Sequence, residues 1–179
     1  MPPRIPRQPA ERGPNRVELD ARLSAELLSA MAGARRRAAR DGDRQIDTAH
    51  LLHSLLECDP QVRLVFDGAV LARLLGYLVQ RSIGYGLQWQ SAVEDSGSVP
   101  VVLEAGWSPA AAFAMDAARK RSEQRGDTRA RGLDLLVAIA ADAECRAVEV
   151  LGRAGVRAAE LESRIEAAED EGGLDELPS

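Results

Sequence analysis

Residues 41–56 read DGDRQIDTAHLLHSLL, and residues 125–140, 84 positions further along the chain, read RGDTRARGLDLLVAIA. Each stretch is typical of the end of one helix, a polar turn and the start of a second, leucine-rich helix. Matching residues recur at the shift of 84: Gly42 and Gly126, Asp43 and Asp127, Leu51 and Leu135, Leu52 and Leu136. One such match could arise by chance, so the flanking sequence must decide whether the chain contains a repeat.

The segments that precede these two stretches also match at a shift of 84. Ser24 and Ser108 suit the N-cap of a helix, and Pro109 suits a first helical position, where its missing amide loses no partner. Gly42 and Gly126 suit the ends of these helices, because glycine tolerates a left-handed backbone. A helical stripe lies between cap and glycine in each half, formed by Leu27, Met31, Ala34 and Ala38 and then by Ala111, Met115, Ala118 and Ser122. These coincidences indicate an internal duplication.

Further helical patterns complete each half, so the sequence predicts an all-α fold of eight helices in two pseudo-symmetric four-helix repeats. We expect repeat one at 22–83, an inter-repeat loop at 84–106 and repeat two at 107–168, together forming one domain over 19–168. A basic, proline-rich tail (1–18) and an acidic tail (169–179) are expected to be disordered, because neither offers enough apolar surface to offset the entropy of ordering.

Composition limits the function classes. Apolar residues make up 45 % of the chain but aromatic residues only 3 %, so the core must be built from leucine, alanine, valine and isoleucine. The net charge is −5 and falls mainly in the acidic tail, which disfavours a strongly basic nucleic-acid binder. Cys58 and Cys145 are too few for a disulfide framework or a zinc site. The sequence shows no membrane span and no secretory signal, so we expect a cytoplasmic protein.

The ordered set of repeat residues resembles the amino-terminal domain of the Clp family of AAA+ unfoldases, the double Clp repeat. The second half carries the match at Trp107, Ser108, Pro109, Gly126, Leu135, Leu136, Ala147, Leu151 and Gly155. The first half carries it at Ser24, Gly42, Thr48, His50, Leu51 and Leu52. The resemblance implies a non-enzymatic domain that binds proteins or peptides, with a Clp unfoldase or its substrates and peptide ligands as partners.

Two departures from the family pattern alter what the resemblance implies. In some members a glutamate in each repeat binds phosphorylated arginine, and the corresponding residues here are Ala49 and Leu133, which have no carboxylate. We therefore expect the phosphoarginine site to be absent. The only lysine, Lys120, lies outside any glycine-rich phosphate loop, so we expect a stand-alone domain without ATPase modules and an accessory, adaptor-like or decoy role.

The resemblance also indicates where a partner would bind. In relatives, the groove between the two repeats accepts adaptor proteins and cyclic-peptide antibiotics, and the residues at that seam are Glu26, Trp107, Ala112 and Phe113. His50 and His53 lie on one helical face, but no carboxylate or thiol cluster completes a metal site. The sequence predicts no catalytic residue, no metal and no cofactor.

Two alternatives remain open at this point. Arginine-rich helices at 34–44 and 119–131 could bind nucleic acid or an acidic partner, although consecutive arginines on a helix point in different directions and are more typical of a solvated face. A degenerate domain that oligomerises through an apolar face is the other alternative. The sequence leaves the oligomeric state unknown.

Overall fold

The computed structural model describes residues 16–82, 93–94 and 106–171. These ranges contain nine α-helices and two isolated β-bridges, so the all-α prediction is confirmed. The helices are α1 (Arg16–Asp20), α2 (Ala25–Asp41), α3 (Thr48–Cys58), α4 (Pro60–Leu64), α5 (Gly68–Ser82), α6 (Pro109–Arg125), α7 (Gly132–Ala141), α8 (Arg146–Arg153) and α9 (Ala158–Asp170).

The first long helix of each repeat, α2 or α6, begins and ends in the same way. The Ser24 and Ser108 hydroxyls accept hydrogen bonds from amides three residues ahead. Gly42 and Gly126 end the helices in the left-handed conformation, with φ of 71° and 83°. The amide that follows each glycine then bonds back to the last turn, at 3.0 Å in both repeats. Caps and glycine stops therefore fix both helices at 17 residues each.

The repeats diverge in their second halves. The first residues of α3 and α7 are 84 positions apart. The first residues of α4 and α8 are 86 apart, and those of α5 and α9 are 90 apart. Two differences cause the shift: Asp59 alone separates α3 from α4, whereas residues 142–145 separate α7 from α8, and α8 has eight residues where α4 has five. The correspondence of 84 positions thus holds for the first two helices of each repeat and shifts in the last two.

Two parallel β-bridges join the repeats. Leu23 pairs with Ala130, and Trp107 pairs with Ile46. A shift of 84 turns each bridge into the other, because Leu23 becomes Trp107 and Ala130 becomes Ile46. The hydrogen bonds correspond as well: Ser24 N donates to Ala130 O at 2.8 Å, and Ser108 N donates to Ile46 O at 2.9 Å. This reciprocal pairing is the contact pattern of a twofold-related pair.

One apolar core serves both repeats. The helices α3 and α7 lie at its centre, and nearly every residue of α3 from Thr48 to Leu56 is buried. The largest side chains with no more than 2 % exposure are all leucines apart from one isoleucine: Leu23, Leu27, Leu51, Leu52, Leu55, Leu56, Leu74, Leu78, Leu133, Leu135, Leu136 and Ile139. None of the described helices combines the length and apolar character needed to cross a lipid bilayer.

The prediction of eight helices is one too few for the described residues. The additional helix, α1, takes in residues 16–18, which the sequence analysis places in the basic tail. A five-residue helix has too few turns to show an apolar period, so the pattern could not reveal it. At the other end, α9 continues to Asp170, two residues beyond the expected domain end at 168. Most of both tails and of the 84–106 loop lies outside the described residues.

Candidate protein-binding groove

The helix α6 presents one of its faces to a groove beside the Trp107–Ile46 bridge. The lining side chains of α6 follow helical spacing and are Ala112, Met115, Asp116, Arg119, Lys120 and Glu123. Met31 of α2, Trp107, and Leu19 and Arg22 at the α1 end complete the lining. The groove has a volume of about 250 Å³. The apolar lining residues, which we call the floor of the groove, include Met31, Trp107, Ala112 and Met115. The charged residues of α6 and Arg22 form the rest of the lining.

Trp107 is held firmly at the base of this groove. The side chain is only 6 % exposed, so most of the indole belongs to the core and only its edge lines the groove. The Arg35 guanidinium lies 5.2 Å from the ring centroid, a cation–π contact. The indole Nε1 has no hydrogen-bond acceptor among the residues that the structure describes. Apolar contact and the Arg35 cation therefore hold the ring in place without a hydrogen bond from its donor.

The charged side chains of the groove differ in how they are paired. Lys120 lies 2.9 Å from Asp116, and Arg22 lies 3.5 Å from Glu123 across the groove. Arg119 has no hydrogen-bond or ion-pair partner among the described residues, and its Nε is buried. Both acidic residues are thus already engaged by cations, and Arg119 is the lining cation left without a carboxylate.

A second polar feature lies deeper, where the starts of α3, α6 and α8 converge. The Glu94 carboxylate, 5 % exposed, accepts hydrogen bonds from the amides of Thr48 at 2.9 Å and Arg146 at 2.8 Å. It also accepts the hydroxyls of Thr48 at 2.5 Å and Ser108 at 2.8 Å. All four partners are donors, which suits an ionised carboxylate placed at helix amino termini. Glu94 therefore fastens the inter-repeat segment to both repeats.

Asp59 lies at the symmetry-related junction, where the start of α4 in repeat one meets the start of α7 in repeat two. This residue caps α4 by accepting the Gln61 amide at 2.9 Å, and its carboxylate packs against Gly132 at the start of α7. A Cβ at Gly132 would overlap Asp59 Oδ2 and lie 3.2 Å from Leu55 Cδ2. Burial raises the pKa of the Asp59 carboxyl. Glycine is thus required at Gly132 by close packing and not by its backbone angle.

A buried ion-pair network surrounds the N-cap of α3. Asp47 accepts the His50 amide at 2.9 Å, and the Asp47 amide donates to His50 Nδ1 at 3.0 Å, which forms a reciprocal cap. The other carboxylate oxygen of Asp47 accepts from Arg81 of α5 and, at 2.8 Å, from Arg146 of α8. Burial raises the pKa of Asp47, but hydrogen bonding to His50 and the charge of Arg81 outweigh it and hold that pKa well below its usual range.

The corresponding network in repeat two has the opposite polarity. Arg131 stands at the N-cap of α7 and pairs with Glu169 near the end of α9 at 2.7 Å. The buried Asp134 accepts both Nη atoms of Arg125, at 2.5 and 2.9 Å, and the Arg131 amide at 2.8 Å. Hydrogen bonding to Asp134 and Asp127 raises the pKa of the Arg125 guanidinium above its usual value. Each repeat therefore ties its last helix to an N-cap, but the acid and the base have changed places.

Comparison with known proteins identifies the fold. No family model and no curated protein matches the sequence. The N-terminal domain of the caseinolytic protease associated chaperone ClpD from Arabidopsis thaliana matches with a TM-score of 0.60 at 20 % identity, over 83 % of this chain and 95 % of that chain. The Hsp104 N-terminal domain from Candida albicans matches with a TM-score of 0.62 at 14 % identity, over 84 % of this chain and 92 % of that chain. This chain has the fold of a Clp amino-terminal domain. At these identities the likeness establishes the fold alone.

The Clp amino-terminal fold brings together only some of the residues that the sequence analysis places at the seam. Trp107 and Ala112 line the groove side by side. Phe113, adjacent on α6, is 37 % exposed but is not among the lining residues. Glu26 is an exposed residue in the first turn of α2 and does not line the groove either. The lining residues that the sequence analysis did not assign to the seam are Leu19, Arg22, Met31, Met115, Asp116, Arg119, Lys120 and Glu123. It also missed Glu94, which lies outside the groove.

Ala49 and Leu133, where the Clp resemblance implies lost carboxylates, are both fully buried in their repeats. Ala49 directly follows Thr48, whose amide and hydroxyl both donate to Glu94. The chain thus supplies a carboxylate near this position from a different part of the sequence. No sequence pattern marks Glu94, because its importance arises only when the inter-repeat segment meets three helix starts.

Asp41, Asp43 and His50 form a group whose ligand atoms lie within 4.8 Å of one another. The hydrogen bonds argue against a metal there. Because His50 Nδ1 accepts the Asp47 amide, the proton of the neutral ring is assigned to Nε2, which donates to Asp43 at 2.7 Å. A metal ion would need the lone pair of that nitrogen. The group therefore serves as a hydrogen-bonded brace for α3.

Several arginines of the two basic helices are engaged by carboxylates of the same chain. Arg37 pairs with Glu57 at 2.7 Å, and both Arg121 and Arg125 lie against Asp134. The charge of these three arginines is therefore partly neutralised within the chain. The two cysteines are free, and burial raises the pKa of the Cys145 thiol to about 11, so it is protonated and a poor nucleophile at neutral pH.

Proposed function

We propose that this chain is a non-enzymatic binding module that receives segments of other proteins and works beside a Clp unfoldase, as an accessory, adaptor-like or decoy protein in the cytoplasm. The observation that carries the proposal is the groove between Trp107 and α6. It is concave, its floor is apolar, and a buried indole held by Arg35 gives it a preformed shape. A preformed apolar surface that includes methionines suits ligands of variable sequence.

The buried ionisable groups support a binding role over an enzymatic one. Asp47, Glu94 and Asp134 each accept hydrogen bonds from helix amides, and each is fully occupied in holding helices together. None of these three carboxylates faces the groove. A catalytic site needs titratable groups that converge on a reacting atom. The charged side chains that do line the groove, such as Lys120 and Asp116, form ion pairs typical of a binding rim.

The nucleic-acid alternative receives less support. Binding through phosphate contacts needs cations that can exchange their counterions for phosphate. In the basic helices, Arg37, Arg121 and Arg125 already have carboxylate partners. Phosphate contacts through these three arginines would have to compete with those ion pairs.

The proposed function is tested by adding the full chain to the Clp unfoldase–protease of the same organism while fluorescent casein is degraded. An adaptor raises the degradation rate, a decoy lowers it, and either effect should saturate with chain concentration. The Ala112→Gln variant narrows the groove and should abolish the effect. The Ala72→Gln variant, at an exposed position of α5, should retain it. Melting curves establish that both variants are folded. The absence of any effect on degradation, together with no measurable binding to the unfoldase, would refute the proposal.

A further inference from the structure

The groove has a direction along α6. Its apolar lining, Ala112 and Met115, lies in the first half of the helix, and Arg119 follows one turn after Met115. With a rise of 1.5 Å per residue, Arg119 lies about 6 Å along the axis from Met115 and about 10 Å from Ala112. An extended peptide covers these distances in roughly two and three residues. A ligand that lay along α6 would therefore meet apolar floor first and a cation two or three residues later.

The charges of the groove favour an acid at that second position. Asp116 and Glu123 already pair with Lys120 and Arg22. Arg119 lines the groove, is only partly buried and has no carboxylate partner among the described residues. A carboxylate brought by a ligand would pair with this guanidinium in a charge-assisted hydrogen bond, the stronger kind. A cationic ligand would instead meet a lining in which three cations outnumber two acids.

We propose that the groove binds an extended segment of another protein in which an apolar side chain lies two or three residues from an aspartate or glutamate, with the apolar group on Met115 and Trp107 and the carboxylate on Arg119. This inference rests on the proposed function and adds the chemistry of the ligand. Shape fixes the apolar position, because Trp107 cannot move without disturbing the core. The charge of Arg119 fixes the position of the ligand's carboxylate.

The test selects ligands without bias from a library of random 12-residue peptides displayed on phage, with the full chain as bait. The enriched peptides are then synthesised with a fluorescein label and titrated. We expect them to share an apolar residue with an acid two or three positions away. The Arg119→Gln variant should weaken binding at least ten-fold, and changing the peptide's acid to its amide should weaken it equally. Arg157→Gln, at a highly exposed position at the start of α9, should leave binding unchanged.

A charge reversal separates direct contact from a structural effect. The Arg119→Glu variant should bind a peptide whose acid is replaced by arginine more tightly than it binds the original peptide. Peptides that are enriched but lack the acid, or that bind Arg119→Gln as well as the unaltered chain, would overturn this inference and leave the proposed function standing. A library that yields no binding peptide would overturn both.

The same titration distinguishes other occupants. The chain's own acidic segment carries Leu174 and Leu177 among acids. If the full-length Leu174→Ser/Leu177→Ser variant bound the labelled peptide at least ten-fold more tightly, that segment would be the natural occupant and the proposal of a separate partner would fail. If Ala112→Gln converted a sedimenting dimer to a monomer, the occupant would be a second copy of the chain, with the same consequence.

Discussion

The guanidinium of Arg146 lies 2.8 Å from the carboxylate of Asp47, so a helix of repeat two is ion-paired to the N-cap of a helix in repeat one. Both side chains are buried, and Arg81 shares the same carboxylate oxygen. Replacement of Asp47 by asparagine keeps the cap but removes the buried negative charge that Arg81 and Arg146 share. We expect the free energy of unfolding in urea to fall by about 3–5 kcal/mol. The exposed Arg153→Gln on the same helix as Arg146 should change it by less than about 0.5 kcal/mol. A loss below about 1 kcal/mol in Asp47→Asn would contradict this assignment.

Stability should also depend on pH through His53. Burial, followed by the Arg37 charge, lowers the pKa of His53 from 6.5 to about 4, against the opposing effect of Glu57. The folded state thus holds a neutral ring where the unfolded chain would be protonated. The stabilisation is complete above pH 6.5 and is lost as the pH falls towards 4, at up to about 1.4 kcal/mol per pH unit. Urea titrations across this range should show the slope, and His53→Gln should flatten it. The effect of the lowered Asp47 pKa lies further into acid, below about pH 4.

Two glycines provide a matched test of packing. A Cβ at Gly132 would overlap the Asp59 carboxylate, whereas a Cβ at Gly76 of α5 would meet nothing within 4 Å. We expect Gly132→Ala to lower the free energy of unfolding by about 1–3 kcal/mol, because one side chain must move. Gly76→Ala should raise it by about 0.5–1 kcal/mol, since alanine loses less backbone entropy in a helix. Thermal melts of both variants suffice, and the same sign of change in both would refute the explanation.

Glu94 gives a prediction about the inter-repeat segment. The Glu94→Ala variant leaves the donors of Thr48, Ser108 and Arg146 without an acceptor, and we expect a loss of about 3 kcal/mol. Glu94→Gln should recover only part of it, because the amide nitrogen cannot accept from donors. Glu149→Ala, at an exposed surface ion pair, serves as the control and should change stability by less than about 0.5 kcal/mol. Full recovery of stability in Glu94→Gln would show that the size of the Glu94 side chain stabilises the fold and its charge does not.

Trp107 requires a careful choice of substitution. Because the side chain is buried, Trp107→Ala should lower stability by about 3–5 kcal/mol, which would confuse any binding experiment. Trp107→Phe removes an indole N–H that has no acceptor in the described part of the chain and keeps most of the apolar contact, so it should cost less than about 1.5 kcal/mol. Binding of peptides selected on the unaltered chain should weaken in Trp107→Phe, measured by anisotropy with the melting temperature as control. Unchanged binding in this variant would place the ligand elsewhere.

The repeat architecture could be predicted because its signals are local. Ser24, Gly42 and their counterparts act within one or two turns, and the apolar stripes of α2 and α6 repeat at a fixed spacing. The reversal of charge between the repeats could not be predicted in the same way. Asp47 and Arg131 occupy equivalent positions, but their partners Arg146, Arg81 and Glu169 are brought to them only by tertiary packing.

The same limit applies to the groove. The family resemblance predicts Trp107 and Ala112 at the groove, and both residues line it. Their role in binding stays a prediction. Phe113 and Glu26 were assigned to the seam on the same resemblance, and both lie outside the lining. Arg119 lies one turn beyond Met115 in a run of charges that looks like a solvated surface. Only the ion pairs of its neighbours, visible in three dimensions, distinguish it from Lys120.

Arg81 of α5 pairs with Asp47, and Glu169 of α9 pairs with Arg131, so the two ion pairs have opposite polarity. This difference restricts which helices can substitute for one another. If α5 of one molecule took the place of α9 in another, Arg81 would face Arg131, cation against cation. The reverse exchange would set Glu169 beside Asp47, acid against acid. If both repeats had kept identical ion pairs at these positions, α5 and α9 could have replaced one another. Divergence of these side chains thus gives α5 and α9 one matching site each in the bundle and disfavours the exchange of one for the other.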